Sequence, residues 1–365
     1  MIKGLYIHIP FCSEKCPYCD FMSVSIQGAD IYRRYIEALK KEILLYKNED
    51  FYLESVYFGG GTPSLLPPEL LGEVILFIKR HIPCSKNMEI TVEVNPETYR
   101  YPHFLKIKEY GVNRISIGAQ TFNSRLLKIL GRHHTPEDTF KTVEGALKAG
   151  IQNINLDMIY GIYTQTLKDL EEDLKTFVSL PVKHISGYML TAYEGTPLGS
   201  MVKSGSFKLP DETTVEKMFF LINDTLEENG FKRYEISNWA KEGFLCRHNY
   251  FYWNHTDFLG IGVSAWSFVN KRRFGNVSNL DVYLEKVFKN QKPIFFEEKL
   301  SEEDIFKEKV ILGLRTTEGV DETFIKNKEN LKKLIDEGFL KKKKGKVSLS
   351  EKGVLISNYI INMLI

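Results

Sequence analysis

Three cysteines lie within eight residues near the start of the chain, at Cys12, Cys16 and Cys19. Their C-x3-C-x2-C spacing follows the apolar run Leu5–Ile9, which predicts a strand, so the thiols are expected on the loop that leaves it. Thiolates gathered on one loop can bind a soft metal centre. A [4Fe–4S] cluster ordinarily takes four cysteines, so three would leave one iron open to a substrate or cofactor.

Other interpretations of the cysteine triplet remain open. A structural zinc site needs four nitrogen or sulfur ligands, and His8 is the nearest candidate for a fourth, although it lies inside the predicted strand. A disulfide framework would need an even number of cysteines in a small secreted chain, whereas this chain has five cysteines in 365 residues. The pattern therefore favours an iron–sulfur cluster and a cytoplasmic location, with Cys84 and Cys246 as free thiols.

Strand and helix signals alternate from the N-terminus to about residue 190. The apolar, β-prone runs predict six strands: Leu5–Ile9, Ser55–Phe58, Met88–Val94, Arg114–Ile117, Asn153–Asp157 and His184–Met189. Helical spacing of apolar residues predicts five helices between them: Ile31–Tyr46, Glu69–Arg80, Tyr101–Tyr110, Pro136–Ala149 and Leu167–Val178. Repeated strand–helix–strand units form a parallel sheet, which can be doubly wound or a barrel.

A chemically distinctive group marks the carboxyl end of each of the first five predicted strands. These groups are the cysteine loop, the turn Gly59-Gly-Gly-Thr62, Glu93, Gln120 and Asp157. Because active sites gather at this end of barrel strands, the groups are expected to build one site around the cysteines. The glycine turn lacks the lysine of a P-loop, so nucleoside triphosphate binding is not predicted.

The cysteine spacing, with the aromatic Tyr18 before the third cysteine, resembles the radical S-adenosylmethionine (SAM) superfamily. In that superfamily the open iron is chelated by SAM, and electron transfer cleaves SAM to a 5′-deoxyadenosyl radical. The longer string from Tyr6 to Cys12 resembles the oxygen-independent coproporphyrinogen oxidases and the related HemW haem chaperones. The resemblance implies an α/β fold, a partial (β/α)6 radical-SAM barrel with a smaller C-terminal winged-helix-like α+β domain.

The resemblance also implies the roles of individual residues. It assigns Cys12, Cys16 and Cys19 to the cluster, and it assigns SAM contacts to Tyr6, Tyr18, Gly60, Gly61, Thr62, Glu93, Gln120, Arg132 and Asp157. From the residues alone, the glycine turn is equally well a tight strand–helix connection. Arg132 alone would be interpreted as a solvated surface cation. Asp157 suits the hydroxyls of a ribose.

After residue 190 the alternation ends. The predicted domains are 1–190 for the barrel core, 191–295 for an extension of the barrel, and 296–365 for the C-terminal unit. In the extension, the sequence predicts a long helix at Asp211–Asn229, an aromatic-rich loop at Arg247–Trp253 and a glycine-bearing turn at Asp257–Gly262. In the C-terminal unit it predicts helices at Ser301–Leu314, Asp321–Asn327, Asn330–Glu337 and Ser350–Leu364, with a hairpin turn at Lys344-Gly345.

One histidine, His248, opens the motif HNxxYW, which resembles a signature of the HemW family. A histidine among aromatic residues is usually a hydrogen-bonded core residue, but in that family it is a candidate haem contact. Phe21 stands where the coproporphyrinogen oxidases carry a fourth cysteine, as it does in HemW proteins. Two segments depart from the family pattern: Ile162-Tyr163 replaces Leu-Pro, and Ser264-Ala265-Trp266 replaces Gly-Ala-His.

Three functional hypotheses follow. The preferred one is a [4Fe–4S]- and SAM-binding haem chaperone that passes haem to an acceptor protein, with respiratory proteins among the candidates. The alternative is a radical SAM oxygen-independent coproporphyrinogen III oxidase, and the third is a regulator that uses the winged C-terminal unit. The net charge of +2 does not favour a nucleic-acid partner. Transient contact with a membrane surface and dimerisation are further expectations, although no apolar run reaches membrane-spanning length.

Overall fold

The computed structural model describes residues 1–26 and 28–365. Six parallel strands form the centre of the molecule: β1 (Ile2–Ile9), β2 (Phe51–Gly60), β3 (Cys84–Val94), β4 (Arg114–Gln120), β5 (Asn153–Tyr160) and β6 (His184–Met189). The helices between them are α1 (Ala29–Leu45), α2 (Pro68–His81), α3 (Tyr101–Tyr110), α4 (Ser124–Ile129), α5 (Pro136–Lys148) and α6 (Leu167–Ser179). All six predicted strands and all five predicted helices are present, and the short α4 is an addition.

The second half of the chain contributes shorter elements. They are α7 (Pro197–Lys203), α8 (Glu212–Glu228), β7 (Lys232–Glu235), β8 (Asn238–Ala240), α9 (Arg247–Trp253), β9 (Phe258–Ile261), β10 (Trp266–Val269), β11 (Arg272–Asn276), α10 (Leu280–Phe288) and β12 (Ile294–Lys299). The C-terminal elements are α11 (Glu302–Leu314), β13 (Val320–Asp321), α12 (Lys328–Asp336), β14 (Leu340–Lys343), β15 (Lys346–Leu349), α13 (Glu351–Leu355) and α14 (Ser357–Leu364).

One large mixed sheet organises the fold. Its strand order is β12-β11-β10-β9-β1-β2-β3-β4-β5-β6-β8-β7, and in the described residues it stays open, with β12 and β7 at its edges. The α/β fold with a partial barrel is therefore confirmed, and a separate small domain carries the three-stranded sheet β13-β15-β14. Residues from 191 to 295 lengthen the same sheet at both ends, and the domain limits themselves remain a prediction.

The core lies between the parallel strands and the helices packed outside them. Leu5, Ile7 and Ile9 share one face of β1 and are fully buried, while the opposite face of the strand carries Tyr6 and His8. Strands buried on both faces carry nearly continuous apolar runs, which is why these six were readable from the sequence. Among the residues that the structure describes, no helix is both long and apolar enough to cross a membrane.

Two predictions in the barrel extension were wrong. The segment expected as a glycine-bearing turn forms β9, which pairs in parallel with β1 from Gly4 to Ile7. The four-residue run of β9 contains one glycine and is followed by another, so it gave little periodic signal for a strand. The aromatic segment expected as a loop forms α9, a helix of seven residues whose His248 and Phe251 are buried. Bulky aromatic residues are weak helix formers, so tertiary packing decides the structure of this segment.

The C-terminal predictions were right in outline and wrong in two details. The helix expected at Asp321–Asn327 is instead β13 followed by a single 3₁₀ turn at Glu322–Phe324. The closing helix is divided at Ile356, whose dihedral angles (φ −115°, ψ 29°) leave the helical region. The hairpin turn at Lys344-Gly345 and the capping box of α11 between Ser301 and Asp304 are as expected.

Candidate functional site

The cysteines lie on the loop that follows β1, residues 12–24, which we call the cysteine loop. Its base is closed by two backbone hydrogen bonds: the Cys12 N–H donates to Val24 O at 3.0 Å, and the Val24 N–H donates to Pro10 O at 2.8 Å. Cys12 is buried, and Cys16 and Cys19 are half-buried. The Cys19 N–H donates to Cys16 O at 3.0 Å, so the two half-buried cysteines share one tight turn.

Two polar groups from other loops reach the cysteine sulfurs. Thr62 Oγ1 lies 3.7 Å from Cys12 Sγ, and Arg132 Nη1 donates to Cys16 Sγ at 3.5 Å. Burial raises the pKa of the Cys12 and Cys19 thiols, and Cys16 adds to the rise at both. Within the described ranges, no three His, Cys, Asp or Glu side chains are grouped so as to hold a single metal ion.

The glycine turn after β2 packs directly beneath the cysteine loop. The Gly61 N–H donates to Ile9 O at 2.8 Å, and the Thr62 N–H donates to Phe11 O at 2.7 Å. A Cβ atom on Gly60 would lie 2.6 Å from His8 Cε1, and one on Gly61 would lie 2.7 Å from Phe11 O. Only glycine allows the turn to approach β1 this closely, so the backbone itself forms this wall of the site.

Two carboxylates face the same region from β3 and β5. Glu93 accepts hydrogen bonds from the Tyr57 hydroxyl at 2.9 Å and the Gly60 N–H at 3.2 Å. Burial and the nearby Asp157 raise the pKa of Glu93 to about 7. Asp157 accepts from Asn155 Nδ2 at 2.8 Å, and burial raises its pKa as well. A ligand carrying positive charge would therefore find two acidic groups that lack a close cationic partner in the hydrogen bonds described.

Arg132 is not the solvated surface cation that its sequence context alone suggests. Its Nη2 donates to Gly118 O at 2.8 Å and to Asn95 Oδ1 at 3.2 Å, while its Nε is buried without a partner among the described residues. Burial lowers the pKa of Arg132, but Tyr18 and Cys16 reverse the effect and raise it overall. The guanidinium thus ties the cysteine loop to the ends of β3 and β4.

The remaining predicted SAM contacts lie around these groups. Gln120 is buried at the end of β4 and adopts a left-handed conformation with φ of 63°. A non-glycine residue in that region is uncommon and is most often held there by a functional or packing constraint. The Tyr6 hydroxyl donates to His8 Nδ1 at 3.2 Å, because His8 Nε2 already donates to Met22 O at 2.9 Å.

His248 is deeply buried in α9, against β2. Its Nδ1 is hydrogen-bonded to Ser55 Oγ at 2.7 Å, and its Nε2 is hydrogen-bonded to the Tyr252 hydroxyl at 2.8 Å. The ring stacks on Tyr57, with 5.3 Å between ring centroids. Burial, together with Arg114, lowers the pKa of His248 to about 3, so the imidazole is neutral at physiological pH.

Several site residues were missed by sequence reasoning. Glu89 on β3 accepts the N–H groups of Arg247 and His248, both at 3.1 Å, and so fixes the start of α9. Its position four residues before Glu93 puts both carboxylates on one face of the strand, and this spacing was a usable signal. Ser55 and Tyr57 on β2 obey the same alternation, but nothing in the sequence indicates their partner 190 residues away.

A cavity of about 500 Å³ joins the two halves of the site. Tyr6, Gly60 and Glu93 line it on the side of the cysteine loop, and His248 lines it on the side of α9. Other lining residues include Asp20, Phe21, Arg114, Asn155, Tyr188, Tyr252, Ser264 and Trp266. The other predicted residues are not part of the lining; Thr62 and Arg132 contact the cysteines, and Asp157 contacts Asn155. The predicted residues therefore form one continuous region of the molecule.

Two family models match the chain. The radical SAM superfamily matches residues 6–177, and the HemN C-terminal domain matches residues 300–356. The solved structure of coproporphyrinogen III oxidase (HemN) from Escherichia coli, a radical SAM enzyme, has the same fold, with a TM-score of 0.85 and 21% identity over 100% of this chain and 90% of that one. The fold and the cysteine loop are those of a radical SAM protein.

Curated relatives narrow the assignment within this class. The heme chaperone HemW of Bacillus subtilis is 33% identical over 370 residues, covering 98% of this chain and 97% of the relative. The heme chaperone HemW of Lactococcus lactis is 34% identical over 366 residues, covering 98% and 95% respectively. The chain belongs to the HemW heme chaperone family.

Membership of the radical SAM superfamily implies a [4Fe–4S] cluster and SAM. The residues present fit both groups. The three free thiols share one closed loop, and the Thr62 hydroxyl and the Arg132 guanidinium contact the sulfurs of Cys12 and Cys16, as suits thiolates that would hold a cluster. The carboxylates of Glu93 and Asp157 suit a ligand that carries positive charge, as SAM does. Cysteines of a cluster bind different irons, so they need not meet at one point.

Proposed function

We propose that this protein binds haem and passes it to an acceptor protein, with a [4Fe–4S] cluster and SAM as resident groups. The observation that carries the proposal is the single cavity of about 500 Å³, lined both by groups beside the cysteine loop and by His248. Haem binding by the relatives is stated in their names, heme chaperone HemW. A shared cavity would let occupancy on one side affect binding on the other.

The cluster and SAM would be held by the residues around the cysteine loop. Cys12, Cys16 and Cys19 are the proposed cluster ligands, and when bound the cluster can supply an electron to SAM. Glu93 and the glycine turn would bind the methionine end of SAM, and Asp157 would accept from the ribose hydroxyls. Tyr6, Tyr18, Gln120 and Arg132 are the remaining proposed contacts, and they would orient SAM and exclude water.

His248 is the proposed haem contact. Its neutral form is the form that can bind iron, and the low pKa favours that form at all physiological pH values. Both ring nitrogens have hydrogen-bond partners, so iron ligation requires that Nδ1 leave Ser55 or that Nε2 leave Tyr252. The Tyr252 bond lies within α9 and on the cavity wall, so Nε2 is the nitrogen we propose to be released.

Haem titration of the anaerobically reconstituted full chain tests this function. We expect one haem per chain in the wild type and at least about tenfold weaker binding in His248→Ala, since one iron–ligand bond is lost. His81→Ala is the matched control, because His81 is an exposed histidine on α2 and its removal should leave haem affinity unchanged. Absence of haem binding by the wild type would refute the function; unchanged affinity in His248→Ala would refute the named contact.

The alternative function is an oxidase of coproporphyrinogen III. An anaerobic assay with reductant, SAM and coproporphyrinogen III distinguishes it, because product formation with release of 5′-deoxyadenosine would favour the enzyme. The proposal also includes an acceptor protein, a dimer and transient contact with a membrane surface. Transfer of bound haem to an apo respiratory haem protein tests the acceptor. Sedimentation velocity tests the dimer, and flotation with anionic vesicles tests the membrane contact.

A further inference from the structure

An exposed aromatic surface lies at one edge of the large sheet. It consists of Trp266, Phe295 and Phe296, whose exposed fractions are 44%, 62% and 38%, and we call it the aromatic platform. The Trp266 ring centroid lies 6.1 Å from that of Phe295 and 5.7 Å from that of Phe296. Single exposed aromatics are common on protein surfaces, but three that touch one another indicate a binding surface.

The platform depends on two local features of the backbone. Strand β12 pairs Phe296 with Gly275 and Ile294 with Asn276, so Phe295 is an extra, bulged residue. Adjacent strand residues normally face opposite sides, and the bulge is what allows both phenylalanines to contact Trp266. A Cβ atom on Gly275 would lie 3.0 Å from Trp266 Cε2 and 3.1 Å from Phe295 Cε1, so both rings rest directly on the backbone there.

One member of the platform, Trp266, lines the cavity that is also lined by His248. Trp266 lines that cavity and also a neighbouring one of about 360 Å³, and the two cavities share Tyr252 and Phe258 as a common wall. Phe21 also lines the larger cavity and is 65% exposed. The lining of this cavity therefore includes two exposed aromatic side chains, Phe21 and Trp266.

We propose that the aromatic platform binds the planar face of the porphyrin macrocycle, an inference that rests on the proposed haem function. The platform rings meet edge to face or tilted, with interplanar angles of 83° between Trp266 and Phe295 and 52° between Trp266 and Phe296. Edge-to-face and offset contacts are the arrangements that aromatic rings prefer, so a macrocycle face can pack against a ring face or a ring edge of this cluster and cover its apolar surface. Indole and phenyl rings do not ligate iron, so this contact involves the macrocycle alone. The platform therefore complements His248: the histidine contacts the metal, and the rings hold the porphyrin.

Titration with iron-free protoporphyrin IX tests the platform separately from iron ligation. We expect the double variant Phe295→Ala/Phe296→Ala and the single variant Trp266→Ala each to bind porphyrin about tenfold more weakly than the wild type. The Soret absorbance of the porphyrin bound to the full chain measures the affinity. Trp266→Phe keeps an aromatic ring and should retain most of the affinity. Tyr359→Ala is the matched control, since Tyr359 is 62% exposed on α14 in the separate C-terminal domain. Circular dichroism and the melting temperature report whether each variant folds.

The outcomes separate this inference from the proposed function. If the wild type binds neither haem nor protoporphyrin IX, the proposed function itself fails. If the wild type binds both and the platform variants bind protoporphyrin IX equally well, the inference fails and the function stands. Because β12 is an edge strand, a second copy of the chain is another conceivable occupant. Variants that abolish a dimer in sedimentation velocity while leaving porphyrin affinity unchanged would overturn the proposal in favour of that occupant.

Discussion

Tyr57 contacts both halves of the cavity through one side chain. Its hydroxyl donates to Glu93 Oε1 at 2.9 Å, and its ring stacks on His248. The hydroxyl bond lowers the pKa of Glu93 against the larger effect of burial, which raises the pKa to about 7. The pKa of Glu93 therefore lies close to the physiological range, and loss of the Tyr57 hydrogen bond would shift the carboxyl further towards its protonated form.

Replacement of Tyr57 by Phe should weaken SAM binding in a pH-dependent way. Without the donor, the pKa of Glu93 rises further, so less of the carboxylate is ionised at pH 7 and it pairs less well with the positive charge of SAM. We expect a loss of about threefold to tenfold in affinity at pH 7, recovering as pH is raised to 8.5 and Glu93 ionises. Calorimetric titration with SAM of the reconstituted protein at both pH values measures this effect.

The control for this experiment is Tyr52→Phe on the same strand, because Tyr52 is 43% exposed. Its SAM affinity should match the wild type at both pH values. An equal loss of affinity at pH 7 and pH 8.5 in Tyr57→Phe would contradict the role given to Glu93 ionisation, and would instead indicate a packing defect.

At the residue scale, the sequence predicted groups whose chemistry is rare and missed those whose role is set by a distant partner. Three cysteines in one short motif indicate a site from the sequence alone, and so does a carboxylate at the end of an apolar strand. The sequence around Arg132 was ambiguous, because an arginine between glycine and histidine can be a solvent-exposed surface residue as readily as a site residue. Ser55 and Tyr57 resemble ordinary strand residues until α9 is placed against β2.

At the scale of elements, one buried carboxylate holds four segments together. Glu42 on α1 accepts hydrogen bonds from the Gly262 N–H at 2.8 Å, the Tyr283 hydroxyl at 2.6 Å and Asn276 Nδ2 at 2.6 Å. These partners lie after β9, on α10 and on β11. In the sheet, β9 lies between β1, which leads into the cysteine loop, and β10 to β12, which carry the aromatic platform. Glu42 therefore helps to fix the distance between the cysteine loop and that platform.

Glu42 should make stability depend on pH. Burial raises its pKa from 4.5 to about 7, so between those values the folded chain keeps a proton that the unfolded chain has lost. Its contribution to the free energy of unfolding therefore decreases as pH rises through this window, by roughly 3 kcal/mol at most. In Glu42→Gln this dependence is absent. The variant should therefore have a lower free energy of unfolding than the wild type at pH 5.5, and this difference should become smaller at pH 8.

Urea unfolding at pH 5.5 and pH 8 gives the two differences in free energy. Glu49→Gln, also a carboxylate near the end of α1 but paired with Arg272 in a solvent-accessible position, serves as the control and should show little change in its difference with pH. A stability difference between wild type and Glu42→Gln that stays constant from pH 5.5 to pH 8 would show that Glu42 does not titrate in this range.

Element prediction from the sequence succeeded where periodicity was long and failed where it was short. The six parallel strands and their helices had continuous apolar runs or amphipathic spacing over many residues. The four-residue strand β9 and the seven-residue helix α9 are too short for periodicity to distinguish them from turns. Both take their conformation from neighbours: β9 from its ladder with β1, and α9 from Glu89 at its first turn.

At the scale of the whole molecule, the C-terminal part of the chain is joined to the sheet close to the aromatic platform. Glu308 on α11 is hydrogen-bonded to His255 Nε2 at 2.8 Å and also to Arg273 on β11. The Arg315 guanidinium lies 5.9 Å from the centroid of the Trp253 ring at the end of α9. Glu308 and Leu312 of α11 line the smaller cavity, which shares Tyr252, Phe258 and Trp266 with the cavity proposed to bind haem.

Replacement of Glu308 by Gln should loosen this connection. The change leaves Arg273 with one acidic partner, Glu298, and weakens the acceptor of His255, so we expect a loss of about 2 kcal/mol in the free energy of unfolding. Glu303→Gln on the same helix removes an exposed ion pair with Lys307 and should cost less than about 0.5 kcal/mol. Urea unfolding measures both losses.

Limited proteolysis then shows which part of the chain is loosened. A loosened α11 should make the segment before it, residues 299–301, more readily cleaved in Glu308→Gln than in Glu303→Gln. Equal stability and equal cleavage in the two variants would mean that packing of apolar residues such as Leu314, and not the Glu308 cluster, joins the C-terminal domain to the sheet.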